Sequence, residues 1–146
     1  MDKVRALGWA YCLGFLLVVA VGYVPPFHDA QGNLFGLFKL DLYDDSLHLA
    51  SGAWAGVAAY LSRRAAIFYF RLFGPLYFAD GVLGFLTGSG YLDGGILLYG
   101  PLDLPLQTRF FANLPHLVIG GLAIWIGYGL ARRGRGGDDA APAAAA

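Results

Sequence analysis

The chain has 146 residues, of which 58% are hydrophobic and 14% charged, and its ten basic and ten acidic residues cancel. Soluble domains carry roughly 25% charged residues, so a chain this small, with a mean hydropathy of +0.57, has too little polar surface to cover itself in water. The balanced charge leaves no footprint for nucleic acid. The single cysteine, Cys12, lies inside an apolar run and reads as a small packing residue rather than a redox group.

Four segments approach the roughly 20 apolar residues that cross a bilayer. The first runs from about Val4 to Val24 and stops at Pro25-Pro26. Its apolar run exceeds the roughly 7–15 residues of a signal-peptide core, so we expect a retained span. The second runs from about Ser46 to Leu61, ends near Arg63-Arg64, and has room to extend through Ala65-Ala66-Ile67. The third begins near Arg71 or Pro75 and ends between Thr87 and Leu92, where Gly88-Ser89-Gly90 loosens the chain. The fourth runs from about Leu114 to Ala131 and stops at Arg132-Arg133. Residues 1–133 therefore form one transmembrane domain. The Gly- and Ala-rich tail, 134–146, has no apolar period and is expected to be a disordered cytoplasmic segment.

Orientation follows from the excess of Lys and Arg on cytoplasmic loops. Eight basic residues (Lys3, Arg5, Arg63, Arg64, Arg71, Arg132, Arg133, Arg135) fall on one side and two, Lys39 and Arg109, on the other. Both termini are thus expected in the cytoplasm, and the loops Pro25–Asp45 and Gly88–Asn113 outside. The reading is a multi-pass protein of the inner (cytoplasmic) membrane. Trp9, Tyr60 and Tyr128 fit an inner aromatic belt, and Tyr23, Tyr91 and Tyr99 an outer one. Arg71 is expected to snorkel to the inner interface, and Trp54 and Trp125 to pack or to face lipid.

The two halves resemble each other. Leu13-Gly14-Phe15-Leu16 recurs as Leu83-Gly84-Phe85-Leu86, and "LFGLF" from Leu34 answers "LYGPL" from Leu98. Asp45–His48–Gly52 matches Asn113–His116–Gly120 in spacing, and "LSRR" from Leu61 answers "LARR" from Leu130. Each half makes one helical hairpin of the same sense, as in parallel repeats related by an axis along the membrane normal. The expected fold is all-α: a transmembrane four-helix bundle of two parallel hairpin repeats, about 4–64 and 71–133. The repeated "[FY]-G … [DN]-x-x-H-L-x-x-G" pattern resembles an uncharacterised bacterial family of four-span membrane proteins, domain of unknown function 4383. The resemblance covers most of residues 5–133. It implies a membrane location and a fold, and no activity, ligand or catalytic residue.

The doubled polar motif admits two readings. In the structural one, Asp45 and Asn113 are helix N-caps. Pro115 then sits in a first turn, where a missing N–H is harmless. His48 and His116 would point toward their own loops, with no cavity between them. Gly52, Gly56, Gly120 and Gly121 would let helices approach closely. In the other reading, His48 and His116 share a ligand, which is a haem iron, a metal held with Asp44 or Asp45 or a small molecule, or they respond to pH, since histidine is the side chain most easily switched near neutrality. Asp80 stands inside the third span with Ala10 as its counterpart, and an ionisable group there is a site hypothesis by default. It would hydrogen-bond a Tyr or a His such as His48 or His116, or carry a proton or cation step. There is no CxxCH, phosphate loop, nucleophile elbow or HExxH, so no cofactor and no metal is assigned. The expected function is a non-enzymatic structural or accessory protein of the inner membrane. Its partners are the lipid bilayer and, along the helices, other membrane proteins or a second copy.

Overall fold

The computed structural model describes residues 2–36, 38 and 42–133, the last of these by its backbone alone. The tail expected to be disordered and Lys39 lie outside the described residues. The chain is helical: α1 (Lys3–Gly22), α2 (Leu42–Leu61), α3 (Arg63–Thr87), the short α4 (Gly95–Leu98) and α5 (Leu106–Ile124). α5 runs on through a π turn, Trp125–Leu130, into a last helical turn, Ala131–Arg133. Among the described residues there is no strand, only isolated bridges from His28 to Leu34 and from Leu34 to Phe38.

Three of these helices, Lys3–Gly22, Arg63–Thr87 and Leu106–Leu130, are long and apolar enough to cross a membrane. α2 is as long as α1 but carries Asp44, Asp45, Ser46, His48 and Ser51 in its first ten residues.

Local chemistry explains most of the ends. The Asp2 carboxylate caps α1, accepting from the N–H groups of Val4 (3.1 Å) and Arg5 (3.3 Å). α2 ends at Leu61 and does not extend through Ile67, because Ser62 is the N-cap of the next helix. Its hydroxyl accepts from Ala65 N–H at 3.0 Å. α3 thus starts eight residues before Arg71, and Pro75 lies inside it rather than at its start. α3 closes on Gly88, whose φ of +82° is a left-handed conformation that favours glycine.

Proline 75 removes the N–H that would bond the Arg71 carbonyl, four residues back. The Tyr128 hydroxyl supplies that donor at 3.2 Å. Arg71 does not simply reach for the interface. Its Nε donates to the Gly127 carbonyl at 2.9 Å, and its guanidinium sits 5.3 Å from the Tyr128 ring centre.

α1 packs along α2, and α3 along α5, so the helices pair as hairpins. α3 is the most buried of them. Tyr69, Phe73 and Tyr77 stack at successive turns, with ring centres 5.0 and 4.7 Å apart, and Tyr11 of α1 meets this ladder edge-on. Glycines set the seams. A Cβ on Gly52 would come 3.3 Å from the Cys12 carbonyl oxygen, and one on Gly56 2.9 Å from Cys12 Sγ. A Cβ on Gly120 would lie 2.5 Å from Phe78 N, whereas one on Gly121 would find only ordinary contact at 3.8 Å.

The two hairpins do not pair in the same register. Gly52 faces Phe15, so the sequence repeat would set Gly120 opposite Phe85. It faces Phe78 instead, about two turns away on α3.

Candidate functional site

Where α1 ends, α2 begins, α3 ends and α5 begins, the helices and the two long connections enclose a cavity of about 800 Å³. It is lined by both motif histidines, His48 and His116, and by Asp80, Asn113, Tyr77 and Phe15 among others. The expectation that each imidazole turns to its own loop, with no cavity between them, is therefore overturned.

The capping expectation fails as well, for a local reason. α2 begins at Leu42, which puts Asp45 inside the first turn, where a carboxylate favours the helix dipole without being the cap. Its Oδ2 accepts from the Tyr23 hydroxyl at 2.8 Å and so ties the end of α1 to α2. α5 begins at Leu106 behind Pro105, so Asn113 and Pro115 lie two to three turns in. Asn113 donates from Nδ2 to the Arg109 carbonyl at 2.8 Å. Its side chain fills the space a Cβ on Gly84 would need.

Asp80 is 1% exposed and fully engaged. Its Oδ1 accepts from the N–H groups of Tyr91 (2.6 Å) and Leu92 (2.9 Å), which folds the α3–α5 connection back over the helix end. Its Oδ2 accepts from His116 Nδ1–H at 2.7 Å. Of the partners the sequence suggested, the structure selects His116. A carboxylate on Nδ1 fixes the imidazole tautomer and leaves Nε2 as the free nitrogen.

Tyr77, which the motif reading missed, stands between the histidines. Its ring centre is 4.4 Å from that of His116, and its hydroxyl is 3.4 Å from His48 Nε2, at the limit of a hydrogen bond. His48 in turn stacks on Phe15, with ring centres 5.7 Å apart. His48 Nδ1 and, one turn earlier, Asp45 Oδ1 are buried without a partner. One signal was available in the sequence. Tyr77 and Asp80 are three apart and so share a helix face.

The geometry narrows the chemistry. With Tyr77 between them, the two imidazoles do not face each other across the gap that a haem iron with two axial histidines requires. Among the described residues no three His, Cys, Asp or Glu side chains converge as a metal-binding group. Tyr77 meets His116 ring to ring, so Asp80, His116, Tyr77 and His48 do not form a continuous hydrogen-bonded path for a proton.

The family model described as "Domain of unknown function (DUF4383)" matches residues 5–98, most of the chain. The chain belongs to this family. The match begins within α1, takes in α2, α3 and α4 with His48, Tyr77 and Asp80, and ends before α5; it covers most of residues 5–133, as expected. No curated protein and no solved structure matches the chain. A DUF4383 domain carries no assigned activity in its description, so the site must be argued from its own atoms.

Proposed function

We propose that the chain is a non-enzymatic, multi-pass protein of the inner membrane, an accessory component with both termini in the cytoplasm. In this reading α1, α2, α3 and α5 cross the bilayer as a four-helix bundle of two hairpins of the same sense. One observation carries it: the apolar side chains face outward. Only 17% of the most apolar stretch of α1 and 22% of that of α5 are buried, against 44% for α3. Leu13, Leu17, Leu86 and Phe68 are each more than 60% exposed. In water such a surface would drive aggregation; in lipid it is the solvated face.

α2 is the more polar helix, and its place beside α1 supports a crossing. It returns along α1 over its whole length, with Gly52 and Gly56 against Cys12 and Ala59 against Gly8. Its polar residues gather at the loop end. The opposite end of the molecule gathers basic side chains. Arg5 donates to the carbonyls of Ala59 and Tyr60, and Arg63 to Asp2 and the Ala131 carbonyl. That supports a cytoplasmic face there.

Membrane fractionation tests the proposal. The full chain should stay in the pellet through an alkaline carbonate wash and leave it only with detergent. Release by carbonate alone would place it on the membrane surface and contradict the reading.

A further inference from the structure

The cavity is not closed off from the helix faces. A second, smaller hollow of about 250 Å³ lies between α1 and α5, lined by Ala10, Gly14 and Leu122 among others. Phe15, Val18 and Ile119 line both spaces. The Tyr11 hydroxyl, donating to the Ile119 carbonyl at 2.7 Å, is a polar link across this gap. The chamber thus borders an apolar slot between α1 and α5.

The chamber has a definite chemical character. Asp44, Asp80 and Asp93 line it, and among the described lining residues there is no Lys or Arg. Its walls carry the aromatic rings of Phe15, Phe35, Phe38, Tyr77 and Tyr99. His48 Nδ1, buried in the chamber wall without a hydrogen-bond partner, adds an independent observation. With its proton on Nε2, turned toward Tyr77, the His48 imidazole accepts at Nδ1. In that tautomer His48 Nδ1 takes an N–H donor from a ligand in the chamber. Buried polar atoms in native proteins find such partners.

We propose that this chamber binds a lipophilic organic ammonium ion. The ammonium N–H groups donate to His48 and the acidic lining, the aromatic faces solvate the cation, and the hydrocarbon body lies in the slot between α1 and α5. Among the described lining residues a phosphate would meet three carboxylates and no Lys or Arg, which favours a cationic head. The aromatic faces favour a cation over a neutral head. The volume lies within the roughly 300–1,000 Å³ usual for small-molecule sites. The slot's access from lipid rests on the membrane reading above, but the chamber's charge preference does not.

The test uses the full chain in phosphatidylcholine nanodiscs at neutral pH, with nanodiscs lacking the protein as the blank. Three dansyl probes differ only at the far end: dansylcadaverine, a primary ammonium; its N-acetyl derivative, neutral; and dansyl-aminohexanoate, an anion. Saturable fluorescence enhancement is expected for the ammonium, with affinity about tenfold or more above either of the others, the scale of a charge-assisted hydrogen bond. H48A should weaken it by about the same factor. L122W fills the slot from an exposed position and should weaken the ammonium probe while leaving the helical circular dichroism unchanged. Equal binding of all three probes, preference for the anion, or no saturable binding by folded protein overturns the proposal. So does unchanged affinity in both variants. Failure here with the carbonate result intact rejects the ligand and keeps the membrane reading; the reverse rejects the membrane reading alone.

Discussion

Gly120 and Gly121 are neighbours on α5, yet a methyl group should have opposite effects at the two positions. At Gly120 the added Cβ would lie 2.5 Å from Phe78 N, 2.7 Å from its Cα and 2.9 Å from its Cβ. Two of these atoms are α3 backbone, which has no rotamer to yield, so α5 must move away by about 1 Å to restore ordinary contact. That movement also opens the close approaches at Gly74 and Gly81 on the same seam. Overpacking of this kind costs about 1–3 kcal/mol, against roughly 1 kcal/mol gained from the better helix propensity of alanine. At Gly121 the nearest atom is the Phe78 ring at 3.8 Å, so only the propensity gain remains. G120A should therefore be less stable than G121A by about 2 kcal/mol, or about thirtyfold in the unfolding equilibrium. Reversible SDS unfolding in mixed micelles, followed by far-ultraviolet circular dichroism, reads this difference. If G121A is as damaging as G120A, the seam does not run where the structure puts it.

Other outcomes follow from single contacts. D80N keeps an oxygen for Tyr91 and Leu92 but sets an amide N–H₂ against His116, and should cost about 1–3 kcal/mol in the same unfolding assay; wild-type stability would deny Asp80 its place as the clasp. Y128F should cost about 1 kcal/mol, and less in a P75A background, where an alanine N–H returns to the Arg71 carbonyl; strictly additive effects would separate the two. In the α1–α2 connection, Asn33 holds the Asp29 carboxyl below the usual carboxylate range through side-chain and backbone hydrogen bonds. A lowered folded pKa means that this stabilisation is present at neutral pH and is lost only as the pH falls below the ordinary value of 3.8. The protection factors for amide exchange at Gln31 and Asn33, which correct for the intrinsic pH dependence of exchange, should fall across that acidic window and stay flat from pH 5 to 8; a transition near neutrality would contradict the assignment.

The long helices were legible because apolar length is the first constraint on a segment that is to cross lipid. α1 and the C-terminal ends of α2 and α3 follow from it. The starts of α3 and α5 do not, because Pro75 and Pro115 read locally as helix-start residues. Within α3 the cost of Pro75 is met by Tyr128, more than fifty residues away, which no local rule anticipates. Asp45 and Asn113 misled for the same reason. Their capping propensity is local, while their contacts with Tyr23 and Gly84 are tertiary. The Asp80–His116 bond was within reach of the sequence, since a carboxylate in an apolar helix must find a donor. Tyr77 between the histidines, and the chamber itself, depend on how the connections fold over the helix ends and on the register offset of the second hairpin. A pattern of matching motifs does not encode either.

Whether α2 crosses decides between four spans and three, and labelling of single cysteines on either side of α2 measures it directly. In a C12A background, Gln31 and Arg64 are exposed positions flanking that helix, and Asp103 and Arg132 report the second hairpin. Four spans predict that cysteines at 31 and 103 react with an impermeant maleimide on intact cells, while those at 64 and 132 react only after lysis. If the cysteines at 31 and 64 label alike from outside, with 103 protected and 132 reactive, α2 does not cross and the two-hairpin membrane topology is wrong.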